Sequence, residues 1–102
     1  MSLFKSEGQA SFEKAEKKAV SSPGWFTSEA AIHNEAAQLY RKAANELKYE
    51  KSLSDAATAF SREAECWEKC NERFDAANAW RNAAIIYREL GELDREFNVP
   101  YI

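Results

Sequence analysis

The chain has 102 residues, which is enough for one domain with a modest hydrophobic core. Its net charge of -3 argues against general nucleic-acid binding, which requires a basic surface. It has no apolar run long enough to span a bilayer and no secretory signal at its start, so we expect a cytosolic protein with reduced cysteines.

The first predicted helix begins after Ser6, because Ser6 and Gln9 fit a capping box, and it continues to about Ala19. Its apolar side is thin, and most of its surface is charged. This surface has two interpretations, since its lysines either attract anionic lipid or form a solvated face that nearby glutamates balance. The lysines concerned are Lys14, Lys17 and Lys18.

The next segment is a loop that contains two large aromatic residues. Residues 21–24, Ser-Ser-Pro-Gly, end the first helix, because proline cannot continue it and glycine permits the turn. Trp25 and Phe26 follow directly, and neighbouring loop residues cannot easily both face one core. They either insert shallowly into a membrane interface or pack under the second helix as a hydrophobic staple.

Three copies of one pattern follow, 20 residues apart, each with paired small residues around one aromatic residue. At about 100° per residue, the repeated positions fall on one side of a helix. A fixed period of this kind predicts stacked two-helix units. We therefore expect an all-α fold of antiparallel helix hairpins in a tetratricopeptide-like, right-handed superhelical array. The aromatic residues predicted to lie in its repeat core are Tyr40, Phe60, Trp80 and Tyr87.

Two helices with clear capping residues are predicted for the first half of this repeat. The second helix covers residues 29–49 and is capped by Thr27 or Ser28. The third is capped by Ser52 or Ser54 and continues to about residue 70. The short links make consecutive helices antiparallel neighbours.

The fourth predicted helix covers about residues 73–90, with Asn71 as its N-cap and Gly91 as its C′ residue. Ile85 and Ile86 lie away from the repeated stripe of this helix and would meet a further helix in a longer stack. Where no such helix is present, this apolar side favours self-association.

Few residues suggest a metal site or a disulfide. Cys66 and Cys70 lie four residues apart on a helix, which is poor geometry for a disulfide, and His33 is the only histidine. We therefore expect both cysteines to be small residues packed between helices, and His33 to be a partly exposed helical residue.

Glu63 replaces an alanine of the repeat, and we expect it to reach out of the helix seam or to pair with Arg62 or Arg81. No Gly-rich phosphate loop, nucleophile elbow or distinctive pair of carboxylates is visible. We therefore expect no catalytic activity and no cofactor or metal.

Several segments resemble the soluble NSF attachment proteins, the SNAP adaptors of vesicle fusion. Residues 15–26, from the charged helix through the aromatic loop, are similar to the N-terminus of that family. Residues 35–45 are similar to its second helix, and residues 75–87 to its fourth. Paired alanines alone are common in tetratricopeptide-like chains, so the order of charged helix, aromatic loop and repeat is what makes the resemblance specific.

The resemblance implies a twisted sheet of antiparallel helices that coats assembled SNARE four-helix bundles through electrostatic contacts. Family members recruit NSF, a hexameric AAA ATPase, which pulls the bundle apart. Their aromatic loop touches the membrane, and Trp25 and Phe26 match that loop position by position. The resemblance therefore implies a cytoplasmic protein that associates peripherally with membranes.

The chain departs from this family in length, since family members are much longer and contact the ATPase through their C-terminal end. We interpret residues 1–102 as one helical-repeat domain, the N-terminal portion of a truncated array. It would comprise a helix and aromatic loop at 1–27, three repeat helices at 28–91 and a divergent tail at 92–102. The alternative is a generic tetratricopeptide-like interaction module that binds an unrelated peptide in its concave groove.

Overall fold

The structure is a computed structural model that describes residues 5–25 and 27–97, with side chains described as far as residue 92. Within these ranges it contains four α-helices and no strand. Each helix packs against the next in chain order, which confirms the all-α array of helix hairpins. The right-handed superhelix stays a prediction. The helices are α1 (Glu7–Ala19), α2 (Glu29–Tyr49), α3 (Leu53–Lys69) and α4 (Arg73–Phe97).

The helix starts predicted from local capping are largely confirmed. In α1, Ser6 Oγ accepts from the Gln9 N–H at 3.0 Å, and Gln9 Oε1 accepts from the Ser6 N–H at 3.3 Å. Of the two candidate caps for α2, Ser28 is the one that accepts from the Ala31 N–H, at 3.1 Å. Ser52 occupies the N-cap position of α3, but its side chain makes no capping hydrogen bond.

Gly8 allows α1 to approach α2 closely. A Cβ atom added at Gly8 would lie 2.7 Å from Leu47 Cγ, so any larger residue would overlap the buried leucine. The Gly8 N–H also donates to Glu50 Oε2 of the turn after α2, at 3.0 Å. The start of α1 is therefore fixed against the end of α2 by both shape and a hydrogen bond.

The turns after α2 and α3 have the same backbone conformation, 20 residues apart. Lys51 has φ 68° and Asn71 has φ 60°, both in the left-handed region. In the first turn the Ser52 N–H donates to the Leu47 carbonyl at 2.9 Å, and the equivalent bond in the second is 2.8 Å. These are Schellman motifs, which satisfy the last carbonyls of a helix. Asn71 therefore ends α3, and its predicted role as N-cap of α4 was wrong.

The predicted end of α4 at Gly91 was also wrong. Gly91 lies 20 residues after Asn71, so the repeat suggested another left-handed turn there, but no glycine in the described part of the chain has a positive φ. The helix continues to Phe97. Glycine tolerates a helical conformation at a cost of about 1 kcal/mol, and most residues from 92 to 97 are good helix formers.

The core contains only two of its four predicted aromatic residues. Tyr40 and Phe60 are buried, and the Tyr40 ring meets the Phe12 ring edge to face at 5.5 Å. Trp80 is 39% exposed and Tyr87 is 50% exposed, so their predicted core position was wrong. The physical reason is position in the array, because α2 and α3 each pack between two neighbouring helices, whereas α4 is the last described helix and makes its main contacts with α3.

The isoleucine pair on α4 also differs from its predicted arrangement. Ile86 is buried in a core cluster to which α2, α3 and α4 all contribute, whereas Ile85 is exposed. Only Ile85 therefore adds to the uncovered side of α4. Self-association through this side stays a prediction.

Candidate functional site

The loop between α1 and α2 presents an indole ring to solvent. Trp25 is 96% exposed, so it does not pack under α2. The loop is attached at both ends, since Ser21 Oγ donates to the Lys18 carbonyl at 2.7 Å and Ser28 caps α2. Phe26, which was predicted to act with Trp25 at the membrane, lies outside the described residues. The loop therefore holds at least one large apolar side chain away from the core.

Val20 is a second exposed apolar residue at this end, and the sequence analysis missed it. It is the C-cap residue of α1 and is 83% exposed. A helical wheel predicts this exposure. At about 100° per residue, Val20 falls roughly 80° from Phe12 and outside the thin apolar side of α1. An apolar side chain there contributes nothing to the packing of α1 against α2.

The three lysines of α1 are not equivalent. Lys14 and Lys17 are exposed, and within the described part of the chain neither has an ion-pair partner. Lys18 is half-buried, and its Nζ lies 3.1 Å from Glu35 Oε1 on α2. Lys18 therefore links two helices, whereas the charges of Lys14 and Lys17 face solvent.

Glu63 lies inside the seam between α2 and α3, so the prediction that it reaches outward or pairs with Arg62 or Arg81 was wrong. It is 2% exposed, and its Oε2 accepts from Arg41 Nε at 3.0 Å and from Trp67 Nε1 at 2.8 Å. Because this carboxyl is taken out of water, its pKa lies above the ordinary value, although both hydrogen bonds oppose the shift. These hydrogen bonds connect α2 with α3. Glu63 is too buried to contact another protein.

A groove runs between the second halves of α2 and α4, above the start of α3. Its volume is about 900 Å³, and its apolar floor includes Leu53 and Ile86. Lys48 stands on the α2 side, and Glu89 on the α4 side. A groove with an apolar floor and oppositely charged walls is the place where a generic peptide-binding module would hold its ligand.

The two cysteines at the end of α3 pack in or against the hydrophobic core. Cys66 is buried and Cys70 is half-buried, and both are free thiols. Burial raises the pKa of Cys66 to about 11, so it stays a thiol near neutral pH. Among the described residues, no three metal-ligating side chains come together. No helix in that part of the chain is long and apolar enough to cross a membrane.

Comparison with known proteins shows similarity to a protein family and to a fungal relative. The profile of the family described as "Soluble NSF attachment protein, SNAP" matches residues 6–94. The chain is 57% identical over 84 residues to the "Vesicular-fusion protein SEC17" of Coprinopsis cinerea, which covers 82% of this chain and 29% of that protein. The chain therefore spans less than a third of the length of this relative. No solved structure matches significantly.

Proposed function

Because the chain belongs to the soluble NSF attachment protein family, as its sequence predicted, we propose that it acts as an adaptor in vesicle fusion. In this role it contributes to the binding of assembled SNARE four-helix bundles at a membrane surface, which longer family members connect with the ATPase NSF. It is a cytoplasmic binding protein that associates peripherally with membranes, and not an enzyme. The observation that carries the proposal is the family match over nearly all of the described residues.

The exposed loop supports the membrane part of this proposal. Transfer of one large apolar side chain out of water contributes about 1.5–3 kcal/mol, which gives only reversible attachment. Stable attachment usually needs a second signal, such as cations near the membrane surface. Trp25 supplies the apolar side chain, and Lys14 and Lys17 supply positive charge on the helix that leads into the loop.

In a longer adaptor, the contact with the SNARE bundle and the contact with the ATPase lie in different parts of the chain. The resemblance assigns ATPase contact to the C-terminal end of longer family members. We expect residues 6–94 to contribute docking to the membrane and to the helix bundle, without stimulating the ATPase.

The membrane proposal is tested by replacing the exposed indole. Trp25→Ser is expected to reduce binding to phospholipid vesicles about tenfold or more, since about 1.4 kcal/mol corresponds to a factor of ten. Tyr49→Ser is a matched control, because Tyr49 is also a highly exposed aromatic residue but lies at the opposite end of α2. Vesicle co-sedimentation gives the affinity, and circular dichroism verifies that each variant is folded. Equal binding by Trp25→Ser and the parent chain would contradict membrane insertion by this residue.

The alternative function is a generic interaction module that uses the groove between α2 and α4. The volume and apolar floor of that groove favour it. It assigns no role to the indole of Trp25, so it predicts that Trp25→Ser leaves all binding unchanged. The vesicle experiment therefore separates the two hypotheses.

A further inference from the structure

A cavity between α1 and α3 lies beside the exposed loop. Its volume is about 470 Å³, within the range of about 300–1,000 Å³ that is usual for small-ligand sites. The last turns of α1 and the second half of α3 form its walls, and Tyr40 of α2 lines it between them. Neither the repeat pattern nor the proposed function assigns a role to this cavity.

Cations outnumber anions among the side chains that line the cavity. Lys17 comes from α1, and Arg62 and Lys69 come from α3, against Glu16 and Glu65. Within the described residues, Lys17 and Lys69 have no ion-pair partner.

Arg62 can bind an anionic ligand with little loss of free energy, because its present ion pair is weak. Its Nη1 lies 3.7 Å from Glu65 Oε1, and both side chains are about half exposed. An exposed pair at this distance is weak, so a bound anion can replace the carboxylate as the partner of Arg62.

The position of the cavity indicates where such an anion would come from. Val20 lines the cavity and is also exposed to solvent. Trp25 follows Val20 by five residues, a span of at most about 18 Å. Tryptophan side chains favour the membrane interface, which is the layer that also contains the lipid phosphates. Insertion of Trp25 into a bilayer can therefore place lipid phosphate groups near the mouth of this cavity.

We propose that the cavity between α1 and α3 binds the phosphate-bearing headgroup of an anionic lipid, held by Lys17, Arg62 and Lys69, while Val20 and Trp25 enter the adjacent interface. This proposal rests on the proposed membrane docking and extends it from the loop to α3. It assigns a binding role to Arg62 and Lys69, which belong to the repeat helix α3 and not to α1 or the aromatic loop.

The test compares vesicles of phosphatidylcholine with vesicles that also contain phosphatidylserine. The Arg62→Gln/Lys69→Gln variant is expected to bind the anionic vesicles about tenfold or more weakly than the parent chain, because each cation near such a surface strengthens binding. Its binding to phosphatidylcholine alone should be unchanged. The matched control is Arg81→Gln/Arg88→Gln, with the same charge change and the same spacing of seven residues, on α4. The control should keep the preference for anionic vesicles.

Three further measurements complete the test. Lysines near the C-terminal end of a helix also stabilise the helix, so thermal unfolding is recorded for every variant. Lys17→Gln serves as a second variant that leaves α3 intact, and it should also weaken binding to anionic vesicles. Inorganic phosphate and glycerophosphoserine are added as competitors, and the proposal expects neither to displace the protein from vesicles at concentrations similar to that of the lipid.

The outcomes separate this inference from the proposed function. If the Arg62→Gln/Lys69→Gln variant matches its control while Trp25→Ser still loses vesicle binding, the headgroup site is wrong and loop docking stands. If inorganic phosphate alone displaces the protein, the cavity binds free phosphate and the lipid assignment is wrong. If the cavity variants lose anionic binding and Trp25→Ser does not, the headgroup site stands and the loop anchor is wrong.

Discussion

Glu63 shows how one residue connects burial, charge and stability in this protein. Its carboxyl group lies between α2 and α3, where Arg41 and Trp67 donate to the same oxygen, Oε2. The sequence indicated that Glu63 was unusual but not what its partner was. Arg41 lies 22 residues away, and only the packing of two helices brings it within 3.0 Å. The spacing of residues along one helix therefore cannot predict a hydrogen-bond partner on another helix.

The raised pKa of Glu63 predicts a pH dependence of stability with a definite sign. In the folded chain the pKa lies above its ordinary value of 4.5, chiefly because burial disfavours the charged form. The folded state therefore binds the proton more tightly than the unfolded state. The contribution of Glu63 to the free energy of unfolding rises as pH falls from neutral through the folded pKa, and it levels off below about 4.5.

Urea unfolding over this pH range, compared between the parent chain and Glu63→Gln, measures that contribution. The free energy of unfolding of the parent, minus that of the variant, should increase as the pH is lowered towards 4.5. Glu65→Gln is the control, since Glu65 is an exposed carboxylate two residues away. A constant difference would show that folding leaves the pKa of Glu63 unchanged, and a decrease towards acid pH would show that the folded chain stabilises the charged carboxylate. Glu63→Ala should lower the free energy of unfolding by about 1–3 kcal/mol because the Trp67 N–H loses its acceptor, and the loss should be larger at acid pH than at neutral pH.

At the scale of the helices, two glycines have opposite roles. Gly8 lies at the closest approach of α1 to α2, with Leu47 2.7 Å from the position of an added Cβ. Gly91 lies inside α4 with no atom within 4 Å of that position. Local capping residues were enough to predict the starts of α1 and α2, because a cap depends on residues within one turn. The end of α4 was missed because a glycine permits a turn without requiring one.

Alanine substitutions at these two positions should therefore shift stability in opposite directions. Gly8→Ala is expected to lower the free energy of unfolding by about 1–3 kcal/mol, since the added methyl overlaps a buried leucine. Gly91→Ala should raise it by up to about 1 kcal/mol, because alanine is a better helix former and has free space there. Chemical denaturation of both variants beside the parent chain gives the two values. A loss of stability in Gly91→Ala would indicate a left-handed turn at residue 91 and restore the shorter α4.

At the scale of the whole molecule, the helices form a slab of 58 × 37 × 19 Å, whose thickness matches two helix layers of about 10 Å. The repeat predicted this architecture because each copy of the pattern makes one amphipathic helix. It could not predict which repeat positions stay uncovered, so Tyr40 is buried and its counterpart Trp80 is not. The cavity between α1 and α3 was equally unpredictable, since Lys17 and Arg62 are brought together only by the stacking of three helices.

The central claim, that the chain is a SNARE adaptor acting at a membrane, is tested most directly by flotation with vesicles that display an assembled SNARE four-helix bundle. The same vesicles without the bundle, and the Trp25→Ser variant, are measured in parallel. We expect the chain to float more strongly with bundle-bearing vesicles than with bare ones, and Trp25→Ser to weaken this retention. Equal retention on bare vesicles, or no retention on either, would contradict the adaptor function and leave only the shared fold.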